Sequence, residues 1–245
     1  MIDAVHTFDN GVKVYNAQLI PAQRKRYRKR NVHEAEEEDV FVAILRSIPS
    51  DGLFVNIGAG IGYYPILAKK LAPLMTVHAV EPLERHRSFL HDNLALNGLN
   101  DRDVVVHEEG VCGRDGWATF LDKGYGSAIR MGSRSSDAML EIRTRTLDSL
   151  CTEIGRIVDL CQMDVQGLEL DVLKGATRTL ATGAVRVFLI GTHSEELHGA
   201  CSALLERSGY GIAYDNYNTT QQPDGILVAC KGCRIIGLPT RAASP

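Results

Sequence analysis

Two kinds of hydrophobic pattern alternate along this chain. Leu53 to Ile57, Thr76 to Val80, Val104 to His107, Ile157 to Met163 and Val185 to Ile190 are short apolar runs bounded by glycines and polar residues, the pattern of buried strands. Between them, apolar residues recur at helical spacing. Ile61, Ile66, Leu67 and Leu71 do so, as do the stretches Leu83 to Leu96, LELDVLKGATRTL from Leu168, and Glu195 to Arg207. Asn97-Gly98 supplies a helix stop after the second of these stretches. Strands that alternate with helices predict an α/β fold with a doubly wound, mostly parallel sheet. Further strands are expected near Gly211 to Tyr214 and Ile226 to Cys230.

The flanks read differently. Asp9-Asn10-Gly11 is a turn signal flanked by Val5, Phe8, Val12, Val14 and Tyr15, which predicts a small hairpin in residues 1–20. Glu36 to Ile48 reads as a helix with Val40, Phe41, Ile44 and Leu45 on one side, and Pro49-Ser50-Asp51-Gly52 ends it. Trp117 to Leu121 and Leu140 to Thr144 alternate like strands. The glycine- and serine-rich stretch 124–137 between them reads as a mobile loop, a lid over a site. No repeat or linker interrupts the chain. Residues 1–245 are therefore read as one domain, with a hairpin and helix in 1–50, an α/β core in 51–235 and a frayed RAASP tail.

Composition narrows the class. The chain has 245 residues, 44% hydrophobic and 23% charged, which suits a globular domain with a full core. Its net charge of -3 gives no overall pull towards nucleic acid or an anionic membrane. No apolar run reaches the roughly 20 residues of a membrane helix. The amino terminus lacks a basic start followed by an apolar block, so no secretory leader is expected. Six dispersed cysteines are expected to be reduced thiols in a cytoplasmic protein, and the lone Cys230-x-x-Cys233 has no second ligand pair near it. The basic run Arg24 to Arg30 stands beside the acidic block Glu34, Glu36, Glu37, Glu38 and Asp39, and the two are expected to neutralise each other on a solvated face.

The candidate chemistry gathers at strand ends. Asn56 and Ile57 lead into the turn Gly58, Ala59, Gly60, Ile61, Gly62, and the helix that follows offers N–H groups to an anion. Glu81 ends the next strand at the distance usual for an acid that accepts hydrogen bonds from a ribose. Gly110 and Val111 follow the third strand, where a loop would cover an adenine edge. Asp164 and His193 end the fourth and fifth strands. Ligands of open α/β sheets sit beyond such ends. The stretch therefore predicts a site for a nucleoside carrying an anionic group, either a dinucleotide or S-adenosylmethionine. Asp164 also reads as a helix N-cap and His193 as a strand-end histidine.

Taken in order, VNIGAGIGYY, the acid and proline of AVEP, LHDNLALNGL, TRTLDSL and MDVQGLELDVLKGA resemble the FkbM-type methyltransferases over roughly residues 50–200. The resemblance implies a Rossmann-like class I methyltransferase fold, S-adenosylmethionine as cofactor and methylation of a hydroxyl on a natural product or sugar. It implies that Asn56, Gly58, Ala59, Gly60, Gly62, Glu81 and Pro82 hold the cofactor, and that Asp164 and His193 lie at the transfer site. Three positions depart from the family pattern: Asn56 replaces an acid, Gln166 replaces the glutamate of D-V-E-G, and Gly191 stands where an acid often precedes the histidine. With two carboxylates lost, no metal site is expected, since hard cations want several oxygen anions. His193, neutral near pH 7 at its ordinary pKa, is the expected base. Other classes to weigh are an RNA methyltransferase using Arg24 to Arg30, an NAD-binding oxidoreductase, and a non-catalytic module that keeps the fold.

Overall fold

The computed structural model describes residues 4–121, 128–129, 139–220, 222 and 224–239. In chain order the elements are β1 (Val5–Thr7), β2 (Lys13–Tyr15), α1 (Pro21–Tyr27), α2 (Ala35–Leu45), β3 (Leu53–Ile57), α3 (Tyr63–Leu71), β4 (Thr76–Val80), α4 (Glu84–Leu96) and β5 (Val104–His107). Then follow β6 (Gly110–Val111), β7 (Gly116–Leu121), β8 (Ala128–Ile129), β9 (Met139–Arg145), α5 (Leu147–Ile154), β10 (Val158–Met163), α6 (Glu169–Lys174), α7 (Thr177–Thr182), β11 (Val185–Thr192), α8 (Glu195–Arg207), β12 (Gly211–Asn216) and β13 (Gly225–Cys230).

The main sheet has seven strands in the order β12-β13-β11-β10-β3-β4-β5. Strands β11, β10, β3, β4 and β5 run parallel, and β13 is antiparallel to both β11 and β12. This is the Rossmann-like α/β architecture that the alternation of strands and helices predicts. Because successive side chains leave opposite faces of a strand, each buried strand feeds two cores. Phe54, Val77, Ala79, Leu160 and Leu189 pack with Phe41, Ile44, Ile66, Leu67, Leu90 and the hairpin's Val12 and Val14 on one face. Val55, Ile57, Met163, Phe188 and Ile190 pack with Leu147, Leu150, Val172, Leu180, Cys201 and Leu205 on the other.

The amino-terminal hairpin is fastened by α4. Asn97 Nδ2 donates to the Lys13 carbonyl at 2.7 Å, and the Lys13 N–H donates to Asn97 Oδ1 at 3.0 Å. The Tyr15 N–H donates to Asn93 Oδ1 at 3.2 Å. Helix ends follow local chemistry. Thr146 and Ser194 cap α5 and α8 through their hydroxyls, and Gly155 ends α5 in the left-handed conformation.

Several expectations change. LELDVLKGATRTL forms two helices rather than one, with Gly175 ending the first; a Cβ there would lie 2.7 Å from the Cys112 carbonyl, so the close approach requires glycine. Gly110 and Val111 are a short strand parallel to β9, in a separate four-stranded sheet β6-β9-β7-β8, and not a loop. The stretch 124–137 lies outside the described residues apart from Ala128–Ile129, as does the RAASP tail. The acidic block is not a solvated face either. Glu34, Glu37 and Glu38 are buried, while Arg26–Glu34 at 3.7 Å and Arg30–Asp39 at 3.8 Å give the expected neutralisation in part. The reason is a set of inward partners: the Tyr63 hydroxyl and Asn10 Nδ2 donate to Glu38, and Gln162 Nε2 donates to Glu37.

His33 sits in the aromatic group that joins the hairpin to α3, its ring 4.6 Å from that of Tyr63 and its Nδ1 2.6 Å from the Tyr27 hydroxyl. Burial first, and then the charge of Arg26, lower its pKa to about 3. An unfolded histidine takes up a proton near pH 6.5, whereas folded His33 stays neutral. Its contribution to stability is therefore complete above that pH and is lost as pH falls towards 3. A His33→Gln variant should lose less stability than the parent between pH 7 and pH 5, by up to about 1.4 kcal/mol per pH unit. Urea unfolding at the two pH values checks this; an equal loss in both proteins would exclude it.

Candidate active site

Sheet register builds the site. Met163 pairs with Ile57 on one side and Ile190 on the other, so Asp164 emerges between the ends of β3 and β11. Thr192 pairs with Gly225 of antiparallel β13, which sets Asp224 beside His193. At the β3 end the backbone comes very close to its neighbour. The Asp164 N–H donates to the Ile57 carbonyl at 3.0 Å, and a Cβ on Gly58 would fall 1.9 Å from the Asp164 carbonyl oxygen. Gly58 (φ 83°) is thus required both by its conformation and by the contact. Gly60 (φ 53°) is different: a Cβ there would meet nothing within 4 Å, and the residue opens on a cavity of about 480 Å³.

That cavity is lined by Gly58, Ala59, Gly60, Glu81, Pro82, Gly110, Val111, Asp164 and His193, which brings together most of the residues anticipated from sequence. Asn56 and Gly62 are not in its wall. Asn56 is buried under the turn, where its Nδ2 donates to Gln162. Gly62 starts α3 in the left-handed conformation, with room for a Cβ limited by Leu90 at 3.1 Å. The turn's amides are also less free than expected. The Gly58 and Ala59 N–H groups both donate to the Val80 carbonyl, the Gly62 N–H donates to Ala59, and the Gly60 N–H donates to Glu81 Oε2 at 2.8 Å. Glu81 Oε1 accepts from the Leu83 N–H at 3.0 Å. Glu81 therefore ties the turn to the end of β4 while presenting its carboxylate to the cavity.

The opposite wall is acidic. His193 Nδ1 lies 2.9 Å from Oε1 of fully buried Glu169. That oxygen also accepts from the N–H groups of Val165 at 3.3 Å and Gly167 at 3.0 Å. The loop wraps around Glu169 with Gln166 at φ 54°, a conformation uncommon outside glycine and frequent at functional sites. His193 Nε2 lies 3.2 Å from Asp224 Oδ1 and 3.4 Å from Asp164 Oδ1, with hydrogen-bond geometry to neither. One donor atom from each of Asp164, His193 and Asp224 falls within 4.8 Å of the other two. Glu34 and Glu37 stand behind them.

Charge crowding shows in the acidities. Burial and then Asp164 raise Glu37 to about 8, and burial, Glu37 and Asp164 raise Glu34. Burial raises Asp164 to about 6 despite the opposing charge of His193. Burial alone would lower His193, but the bond to Glu169 and the charges of Asp164, Glu169 and Asp224 outweigh it and carry the ring up to about 9. The neutral imidazole expected near pH 7 is thus not what these neighbours favour.

Sequence reading missed Glu169, Asp224, Glu37 and Glu34. Glu169 carried a signal, five residues after Asp164 in MDVQGLE, but an acid in a first helical turn is ordinary. Asp224 had none, because only the antiparallel register of β13 brings it to the site.

A family model described as the methyltransferase FkbM domain matches residues 56–212. A protein of Jannaschia sp. (strain CCS1) that carries the name putative methyltransferase is 28% identical over 200 residues, 71% of this chain and 70% of that one. The AMB antimetabolite synthetase AmbE of Pseudomonas aeruginosa is 26% identical over 232 residues, covering 75% of this chain but 11% of the synthetase. Among solved structures, a methyltransferase FkbM from Methylobacillus flagellatus KT has a TM-score of 0.50 at 19% identity, over 74% of this chain and 44% of that one. Fibrillarin of Aeropyrum pernix, solved with natively bound S-adenosyl-L-methionine, has a TM-score of 0.50 at 13% identity, over 78% and 74%. This chain thus spans less than half of the Methylobacillus protein and a small part of AmbE, and the two structures speak to the fold.

Proposed function

Because the chain belongs to the FkbM methyltransferase family, we propose that it transfers the methyl group of S-adenosylmethionine to a hydroxyl of a small molecule, sugar or natural product. One observation carries the reading: the glycine turn, Glu81 and the Asp164–His193 wall face the same cavity. The residues fit the cofactor. Gly60 leaves open space where any side chain would intrude, and Glu81 keeps acceptor capacity for ribose hydroxyls at the edge of that space. Pro82, Gly110 and Val111 form the wall where an adenine would lie. The cofactor supplies an activated methyl on a sulfonium. The chain's part is alignment, since a displacement at carbon gains most from fixing the acceptor in line. Asp164 and His193 are placed to orient that acceptor.

The dinucleotide reading is set aside on family membership, since the amides of Gly58, Ala59, Gly60 and Gly62 are engaged whichever anion is considered. Nucleic acid is not the proposed acceptor, because Arg26 and Arg30 of the basic run are drawn towards Glu34 and Asp39. A match within an antimetabolite synthetase supports a small-molecule acceptor.

Calorimetry should show S-adenosylhomocysteine binding and no NAD binding; the reverse result would reject the cofactor assignment. Glu81→Ala should weaken S-adenosylhomocysteine at least about tenfold, since charge-assisted hydrogen bonds are worth about 1.5–3 kcal/mol each. It should also lower Tm, because two backbone N–H groups lose their acceptor. A lower Tm with unchanged affinity would place the ribose elsewhere. Gly60→Ala separates the two effects: the left-handed backbone costs about 1–2 kcal/mol, yet cofactor affinity should fall much further than stability.

A further inference from the structure

Three features of the acidic wall converge. The first is ligand geometry. Asp164 Oδ1, His193 Nε2 and Asp224 Oδ1 include spacings of 3.2 and 3.4 Å. Bonds of about 2.0–2.2 Å to a first-row divalent ion set neighbouring ligand atoms about 3 Å apart. The second is the histidine's other nitrogen. Nδ1 is engaged by Glu169, and Nε2 faces the two aspartates without a hydrogen bond, so a cation that displaces the Nε2 proton would meet a nitrogen lone pair aimed between two carboxylates. A buried carboxylate holding the far nitrogen is the usual support of a metal-binding histidine. The third is charge. Glu34, Glu37, Asp164, Glu169 and Asp224 crowd one end of the cavity, and Arg26 is the nearby cation outside the cluster.

We propose that Asp164, His193 and Asp224 form a divalent-cation site at this end of the cavity, with Glu169 as the residue that positions His193. An imidazole nitrogen beside two carboxylates suits Mn²⁺ or Zn²⁺ better than Ca²⁺. With three protein ligands, the ion keeps positions open for an oxygen of the acceptor, whose hydroxyl it would make more acidic. That role rests on the methyl-transfer reading, whereas the site itself does not. Sequence reading expects no metal because two carboxylates of the family pattern are lost at 166 and 191; the proposed site departs from that expectation, since Asp224, just before β13, supplies a carboxylate from elsewhere in the chain.

The full chain, stripped with a chelator and exchanged into metal-free buffer, is titrated with Mn²⁺ and followed by electron paramagnetic resonance. One ion should bind per chain. Asp224→Asn and His193→Gln should each weaken it at least about tenfold, and Glu169→Gln about 10- to 100-fold. No binding, or binding indifferent to these changes, overturns the site. Where a variant does not fold by circular dichroism, the parent still decides: adding Zn²⁺ should shift the Nε2 nitrogen resonance of His193, and a ring that stays doubly protonated overturns the proposal. S-adenosylhomocysteine calorimetry on the same sample separates the readings. Cofactor binding without Mn²⁺ binding removes the cation site alone, and Mn²⁺ binding without cofactor binding keeps the site while removing the cofactor assignment.

Discussion

The approach of Gly58 to the Asp164 carbonyl is the contact on which the rest of the site depends. Two central parallel strands, β3 and β10, end at the same level and carry opposite halves of the chemistry. The glycine turn after β3 and Asp164 after β10 both open on the same cavity, where the proposed reading sets the cofactor and the acceptor side by side. With no Cβ at Gly58, the two backbones nearly touch, and a hydrogen bond from the Asp164 N–H to Ile57 fixes their offset. A methyl transfer needs donor and acceptor held in line within fractions of an ångström. A backbone contact between two central strands is a stiff place to set that distance.

The acidic wall is costly for the fold. Carboxylates buried together repel each other and lose hydration, which is why Glu37 and Asp164 hold their protons so much more tightly than ordinary acids. The cost is partly offset by neighbours: Gln162 donates to Glu37, Gln166 donates to Asp164, and two backbone amides donate to Glu169. Strongly shifted acids in a cleft are a mark of sites that act on ligands, and here they share the cleft with the glycine turn.

The fold and the grouping of the glycine turn with Glu81 were legible in the sequence because both are local. The strand–turn–helix signal around Gly58 to Gly62 and the acid at 81 are separated by one βα unit, and the parallel sheet follows from the alternation of periodicities. Asn56 was misplaced because its side-chain direction depends on the neighbouring strand, where Gln162 takes its Nδ2. Gly175 read as helical because the Cys112 carbonyl it packs against is more than sixty residues away in sequence. Asp224 and Glu37 were invisible for the same reason. Each reaches the site through a pairing more than thirty residues away in sequence.

That distance also explains the departures from the family pattern. The family match runs from 56 to 212, yet Glu34, Glu37 and Asp224 lie outside it. Within it, Gly191 stands where an acid is often found. A Cβ on Gly191 would make ordinary contacts, 3.5 Å from Glu37 Oε2 and 3.7 Å from the Asp164 Cβ, so an acidic side chain there would add a carboxylate beside two that already crowd each other. Gln166, in place of a glutamate, turns its amide to Asp164 and adds a donor where a carboxylate would add another repulsion. The carboxylates missing from the shared core have counterparts supplied by the segments before and after it. Those segments line one end of the cavity through Glu34 and Asp224, outside the span matched by the family model, whereas the glycine turn and Glu81 lie within that span.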